Sequence, residues 1–261
     1  METRLKKLFQ RKNGKITSVY FTAGFPKLND TIKIIENLER SGVDLIEIGI
    51  PFSDPLADGP IIQQSGEKAI ANGMSLKLLF EQIKDIRERT QVPLVLMGYL
   101  NTILQYGEQN FIEKCAEIGV DGIIIPDLPL EYYFSNFKKR MDEYNLSNIF
   151  LITSQTSDAR LRLIDDCSTS FIYMVSTNCI TGSNKSLIDQ KDYFERIQGA
   201  NLQHPTLIGF GIHDCDTFQT ACEYSNGGII GSAFIKHITE NGIELSSISN
   251  FINLLKEKPS K

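Results

Sequence analysis

Eight short runs of β-branched and aromatic residues alternate with longer stretches of helical period, and this alternation constrains the fold more than any other feature of the sequence. The runs are ITSVYF (16–21), DLIEIG (44–49), PLVLMG (93–98), DGIIIP (121–126), NIFLI (148–152), SFIYMV (170–175), PTLIGF (205–210) and GGIIG (227–231). Between them lie helical stretches such as DTIKIIENLERSG, MSLKLLFEQIKDIRERT, EQNFIEKCAEIG and TFQTACEYSN, several ending at a Gly or Asn suited to a left-handed cap. Repeated right-handed strand–helix units build a parallel sheet that either opens into a doubly wound layer or closes into a barrel. No GxGxxG follows the first run, which weakens a dinucleotide-binding sheet. The unusual polar residues gather at the C-terminal ends of the runs, where barrel enzymes keep their chemistry, and 261 residues suit one barrel. The expectation is an α/β chain forming a single (β/α)8 TIM barrel, one domain over residues 1–261, without a linker or low-complexity break. METRLKKLFQ adds a short N-terminal helix with Leu5, Leu8 and Phe9 on one side, and SAFIKHI a short helix after the eighth run. The tripeptide Gly-Val-Asp recurs at 42–44 and 119–121, just ahead of the second and fourth runs, as an internal echo two units apart.

Charge and composition exclude several classes. Lys plus Arg number 27 against 32 Asp plus Glu, a net charge of −5, without the basic excess expected of a nucleic-acid binder. No apolar run approaches the roughly 18 residues that a membrane-spanning helix needs. Five cysteines without a CxxC pair and three histidines without ligand spacing argue against a disulfide framework or a metal site, and fit reduced thiols in a cytoplasmic protein.

Strand alternation in DLIEIG places Leu45, Glu47 and Gly49 on one face and the aliphatic Ile46 and Ile48 on the other, toward the helices. Glu47 then points into the barrel, where desolvation favours the acid form and a carboxyl can exchange protons near neutral pH. A buried glutamate tied to a backbone amide or a lysine is the alternative. Residues 51–60 carry Pro51, Pro55 and Pro60 with Asp54 and Asp58; a stiffened loop holding carboxylates suggests positioning, although each aspartate alone also suits an Asx turn. Glycines at Gly182, Gly211 and Gly231, the last followed by Ser232, fall after the sixth, seventh and eighth runs, where backbone N–H groups and a helix N-terminus form the phosphate cup of a barrel. A small phosphorylated substrate follows. Tyr20, Met97, Tyr99, Tyr173 and Phe210 could wall an apolar pocket between that cup and Glu47, with ordinary core packing as the alternative for each.

EIGIPFSDPLADGPIIQ at 47–63 resembles the signature segment of the tryptophan synthase alpha chain family. The similarity extends to FTAGFP (21–26), GYLN (98–101), residues 119–131, Thr181-Gly182, GFGI (209–212) and GSA (231–233), and so spans almost the whole chain. The resemblance implies a (β/α)8 barrel with an added N-terminal helix and retro-aldol cleavage of indole-3-glycerol phosphate to indole and glyceraldehyde 3-phosphate, within an enzyme classed as a carbon–oxygen lyase of tryptophan biosynthesis. By position it makes Glu47 the general acid/base at indole C3 and Asp58 the carboxylate on the indole N–H. It pairs Thr181 with Asp54 in loop closure and assigns Gly182, Gly211, Gly231 and Ser232 to the phosphate. It also implies a beta-chain partner in an α2β2 assembly, faced by segments carrying Pro51, Asp54 and Asn101; pyridoxal phosphate belongs to that partner, leaving no cofactor and no metal in this chain. The loop Ser176-Thr177-Asn178-Cys179-Ile180-Thr181-Gly182 lacks the Arg and first Gly of the family pattern, and Phe25 replaces an Asp before Pro26, which is expected to enlarge the apolar rim. A free-standing lyase, a barrel aldolase or isomerase for another phosphate, and a catalytically dead allosteric subunit are the competing readings.

Overall fold

A computed structural model describes residues 3–176 and 187–257. Its strands are β1 (Ile16–Thr22), β2 (Leu45–Gly49), β3 (Leu94–Met97), β4 (Gly122–Ile124), β5 (Ser147–Ile149), β6 (Leu151–Ile152), β7 (Ile172–Val175), β8 (Thr206–Gly209) and β9 (Gly227–Ile230). All paired strands are parallel, in the order β5-β4-β3-β2-β1-β9-β8-β7-β6. The expected fifth run is therefore two short strands. Its first half pairs with β4 and its second with β7, while the Phe150 carbonyl between them accepts from Tyr173 N at 2.9 Å. One bent segment thus joins the two ends of the sheet, and the parallel sheet curls into a barrel of TIM type.

Helices cover the outside, and the period-2 alternation sorts the side chains into two cores. Val19, Phe21, Ile46, Ile48, Leu96 and Ile123 pack outward among helix residues such as Ile34, Leu38, Leu79, Phe111 and Ile112. Ile16, Leu45, Val95, Ile124, Phe171, Leu207 and Ile229 form a separate cluster inside the barrel with Leu5 and Leu8. The helix Arg4–Arg11, begun by Thr3 accepting from Lys6 N, closes the N-terminal end of the barrel, and Phe9 packs on Phe171 with ring centroids 5.6 Å apart. Gly122 accommodates this plug, since a Cβ there would approach Leu5 Cδ1 at 3.2 Å and Ile149 Cδ1 at 2.6 Å.

The Gly-Val-Asp echo has a structural cause at the same end. Asp44 accepts from Thr17 N at 2.9 Å and pairs with Lys12. Asp121 accepts from Leu94 N at 2.9 Å and pairs with Arg87 and Arg4. Each aspartate pegs the start of the preceding strand and ties it to the basic N-terminal segment. Glycines at the two helix ends take positive φ, +76° at Gly42 and +83° at Gly119, as left-handed caps require.

Three expectations change in detail. The stretch 74–90 forms the helix Leu76–Ile83 and a separate 3-10 turn Ile86–Glu88 instead of one helix. TFQTACEYSN contributes to the helix Cys215–Tyr224, but the helix ends on an extended Ser225 and the Asn226 suited to a left-handed cap does not take positive φ. Phe25 is buried within the outer core, so it does not widen the rim of the barrel mouth.

Candidate active site

Glu47 is fully buried on the inward face of β2, between Tyr20 of β1 and Val95 of β3 in the strand register. Ser18 Oγ donates to Glu47 Oε1 at 2.8 Å, while Oε2 has no hydrogen-bond partner among the described residues. Burial in this apolar interior pushes the carboxyl up to about 8, against the opposing pull of the Ser18 bond. A group so placed holds its proton at neutral pH and can still release it.

The loop after β2 is held by Tyr99. The Tyr99 hydroxyl donates to Asp58 Oδ2 at 3.1 Å and accepts from Ala57 N at 3.0 Å, and its ring stacks on Phe52 with centroids 5.0 Å apart. Gln63 Nε2 donates to the Asp58 carbonyl at 2.9 Å from the first turn of the helix Pro60–Ala71, which has proline at its start. Desolvation raises the Asp58 carboxyl to about 6, opposed by the Tyr99 hydrogen bond. Near neutrality Asp58 is mostly ionised while Glu47 is mostly protonated, so the two carboxyls differ in charge for an identified physical reason.

A cavity of about 570 Å³ opens at the C-terminal ends of the strands. Tyr20, Asp58, Met97, Tyr173 and Phe210 line it together with Gly211, Gly231 and Ser232. Glu47 adjoins Tyr20 but is not part of the wall; Tyr99 also stays outside it, acting on Asp58 and the loop. Two inward positions are glycine because phenols need their space: a Cβ on Gly49 would overlap the Tyr20 hydroxyl, and one on Gly209 the Tyr173 hydroxyl. Phe210 adopts φ of +70°, unusual for a residue with a side chain, and its ring meets Tyr173 edge-on at 6.1 Å. Ser176 Oγ donates to the Phe210 carbonyl at 2.9 Å and braces that turn.

The helix Ser232–Asn241 starts at the cavity. Its cap, Gly231, supplies no side-chain acceptor, so the N–H groups of the first turn remain available at the positive end of the helix dipole. Gly211, at φ of +73°, faces the same space. Thr181 and Gly182 lie outside the described residues. Of the expected partner-facing residues, Asp54 and Asn101 are exposed and Pro51 is half-buried. Leu56, on the same loop as Asp54, is 88 % exposed, and Leu104 is also exposed one helical turn after Asn101.

Sequence reasoning did not single out Ser18, His213 or Lys236. The latter two line the cavity near Gly211 and Ser232. Helical spacing from Ser232 brings Lys236 to the same face, a signal that was available; Ser18 becomes visible only through the pairing of β1 with β2. Among the described residues no group of three or more His, Cys, Asp or Glu side chains could hold a metal, and no helix is long and apolar enough to cross a membrane.

Comparison with known proteins finds similarity along nearly the whole chain. A family profile described as "Tryptophan synthase alpha chain" matches residues 5–258. The tryptophan synthase alpha chain of Flavobacterium psychrophilum is 56 % identical over 244 residues, covering 93 % of this chain and 96 % of the relative. That of Parabacteroides distasonis is 48 % identical over 255 residues, covering 97 % and 99 %. Among solved structures, tryptophan synthase subunit alpha from Legionella pneumophila is similar at a TM-score of 0.88 and 30 % identity, with 98 % of both chains covered. A chain of M. tuberculosis tryptophan synthase in its aminoacrylate-bound form matches at a TM-score of 0.85 and 26 % identity, again over 98 % of both.

Proposed function

The chain belongs to the tryptophan synthase alpha family, and from that premise we propose that its cavity cleaves indole-3-glycerol phosphate into indole and glyceraldehyde 3-phosphate, with Glu47 and Asp58 as the two catalytic carboxyls. The observation that carries this reading is the pairing of a fully buried Glu47 on β2 with a Tyr99-held Asp58 on the loop that follows, both raised by desolvation but to different extents, Glu47 to about 8 and Asp58 to about 6. A retro-aldol cleavage at an indole ring needs this pair. Glu47 gives its proton to ring C3, which becomes tetrahedral, and the ring nitrogen takes on positive charge as the indolenine cation. Ionised Asp58 accepts a hydrogen bond from that N–H and stabilises the cation. The Glu47 carboxylate then removes the proton of the adjacent glycerol hydroxyl. The C–C bond breaks, its electrons restore the aromatic ring, and the former hydroxyl carbon becomes the aldehyde. Glu47 ends protonated as it began, so no oxidant, metal or cofactor enters the balance.

Glu47 lies beside Tyr20, its register neighbour and a residue of the cavity wall, and its oxygen without a hydrogen-bond partner among the described residues is the one assigned to the bound ring. Tyr20, Tyr173, Phe210 and Met97 supply the apolar surface for the indole, and Gly211, Gly231 and Ser232 offer backbone N–H groups to the phosphate at the start of the helix Ser232–Asn241. Thr181 and Gly182 are assigned to loop closure and phosphate binding through the family resemblance alone. A volume of about 570 Å³ is ample for an indole carrying a three-carbon phosphate chain.

The family brings a beta-chain partner, which carries the pyridoxal phosphate; an α2β2 assembly, the carbon–oxygen lyase classification of the two-chain reaction and a cytoplasmic location complete the proposal. The partner face is assigned to Pro51, Asp54 and Asn101, with an exposed leucine close to each segment in sequence, Leu56 on the loop of Asp54 and Leu104 one helical turn after Asn101. The whole chain is treated as one domain. The test is an indole-release assay with and without a beta chain: Glu47→Gln and Asp58→Asn are each expected to lower release about a hundredfold, the scale of a lost acid or base. Unchanged release in either variant overturns the assignment of that residue.

A further inference from the structure

Ser18 is a polar residue at an interior position whose register neighbours are Leu45 on β2 and Ile229 on β9. It is fully buried, as is Glu47. A hydroxyl placed among aliphatic side chains costs stability unless it finds a hydrogen-bond partner. Its partner is Glu47, at 2.8 Å, and the same bond is the hydrogen bond recorded for the Glu47 carboxyl, whose second oxygen has none among the described residues. We infer that Ser18 is the positioning residue for Glu47: its hydroxyl anchors one carboxyl oxygen and leaves the other to carry the proton exchanged with substrate. This rests on the proposed role of Glu47 in the lyase reaction.

The surroundings leave Ser18 as the main polar influence on that carboxyl. Tyr20 is the titratable neighbour on β1, and burial keeps its phenol neutral far above the working range. Strand β3 presents Val95, and the N-terminal plug contributes Leu5 and Leu8 to the interior cluster. Burial raises Glu47, and the Ser18 bond alone opposes it. Ser18 does not line the cavity, so it acts on the substrate only through Glu47.

The test compares Ser18→Ala, which deletes one oxygen and adds no bulk, with Ser18→Thr, which keeps the hydroxyl. The Glu47 carboxyl is titrated directly by NMR on chain labelled with 13C-glutamate, its signal identified by its loss in Glu47→Gln. Removing a donor that favours the carboxylate raises the pKa, and a tenfold change in proton affinity moves it by about one pH unit. Ser18→Ala is expected to shift both the Glu47 titration and the basic limb of kcat/KM upward by about that amount, changing kcat while KM stays near wild type. Ser18→Thr is expected to restore the wild-type titration. A Glu47 titration unmoved in Ser18→Ala, or moved equally in both variants, overturns the inference. Failure of the lyase reading would show separately, as unchanged indole release by Glu47→Gln.

Discussion

Replacing Tyr99 by Phe tests how the active-site loop controls charge. The substitution keeps the ring that stacks on Phe52 and removes the hydroxyl that donates to Asp58 Oδ2 at 3.1 Å and accepts from Ala57 N at 3.0 Å. A hydrogen bond to a charged group contributes about 1.5–3 kcal/mol. At about 1.4 kcal/mol per pKa unit, its loss raises Asp58 by about one to two units from its present value of about 6. The sign follows from the donor, which favours the carboxylate over the acid. At neutral pH the ionised fraction of Asp58 then falls from about nine-tenths to between about a half and a tenth. If ionised Asp58 is what holds the indole N–H, kcat/KM at neutral pH drops by about two- to tenfold, and the acid limb of the profile moves up by about one to two pH units. The assay is the initial rate of indole release from indole-3-glycerol phosphate across the pH range. An acid limb that stays in place while the rate falls equally at every pH would refute the reasoning, because Tyr99 would then act by loop placement alone.

Four further outcomes follow from the same geometry. Gly209→Ala places a Cβ into the Tyr173 hydroxyl, and the forced shift is expected to cost about 1–3 kcal/mol by denaturant unfolding and to weaken substrate binding. Leu5→Ala hollows the barrel plug and is expected to cost about 2–5 kcal/mol, with residual indole release in the folded fraction. Glu47→Gln removes the penalty of ionising a buried carboxyl. Because the folded pKa of about 8 lies above the unfolded value of 4.5, wild-type stability relative to this variant falls as pH rises between those values and is level above them, a gap on the order of a few kcal/mol in unfolding free energy. Leu56→Asp puts a charge in place of the exposed leucine on the active-site loop and is expected to weaken binding to a beta chain in a titration, without changing the stability of the isolated chain.

The inward position of Glu47 was legible because strand period alone places it opposite Ile46 and Ile48, and the same rule separates the two hydrophobic cores. The plug helix was legible from Leu5, Leu8 and Phe9. What stayed hidden depends on pairings between distant residues. Ser18 meets Glu47 across 29 positions and Tyr99 meets Asp58 across 41, and no local pattern carries either bond. The echo at Asp44 and Asp121 was visible as a repeat, but its cause, pegging a neighbouring strand by an N–H at its start, emerges only from the register. The split of the fifth run at Phe150 arises from barrel closure, in which one segment serves two neighbours and its local alternation gives no warning. Gly49 and Gly209 look like ordinary turn glycines in sequence, whereas the phenols packed against them explain the missing side chains.

The most direct test of the central claim, one protonated and one ionised carboxyl working together, is the pH dependence of kcat/KM for indole release by the wild-type chain. The account predicts a bell with an acid limb near 6 from Asp58 and a basic limb near 8 from Glu47. A profile that is flat across this interval, or that keeps rising beyond the Glu47 limb, would contradict it.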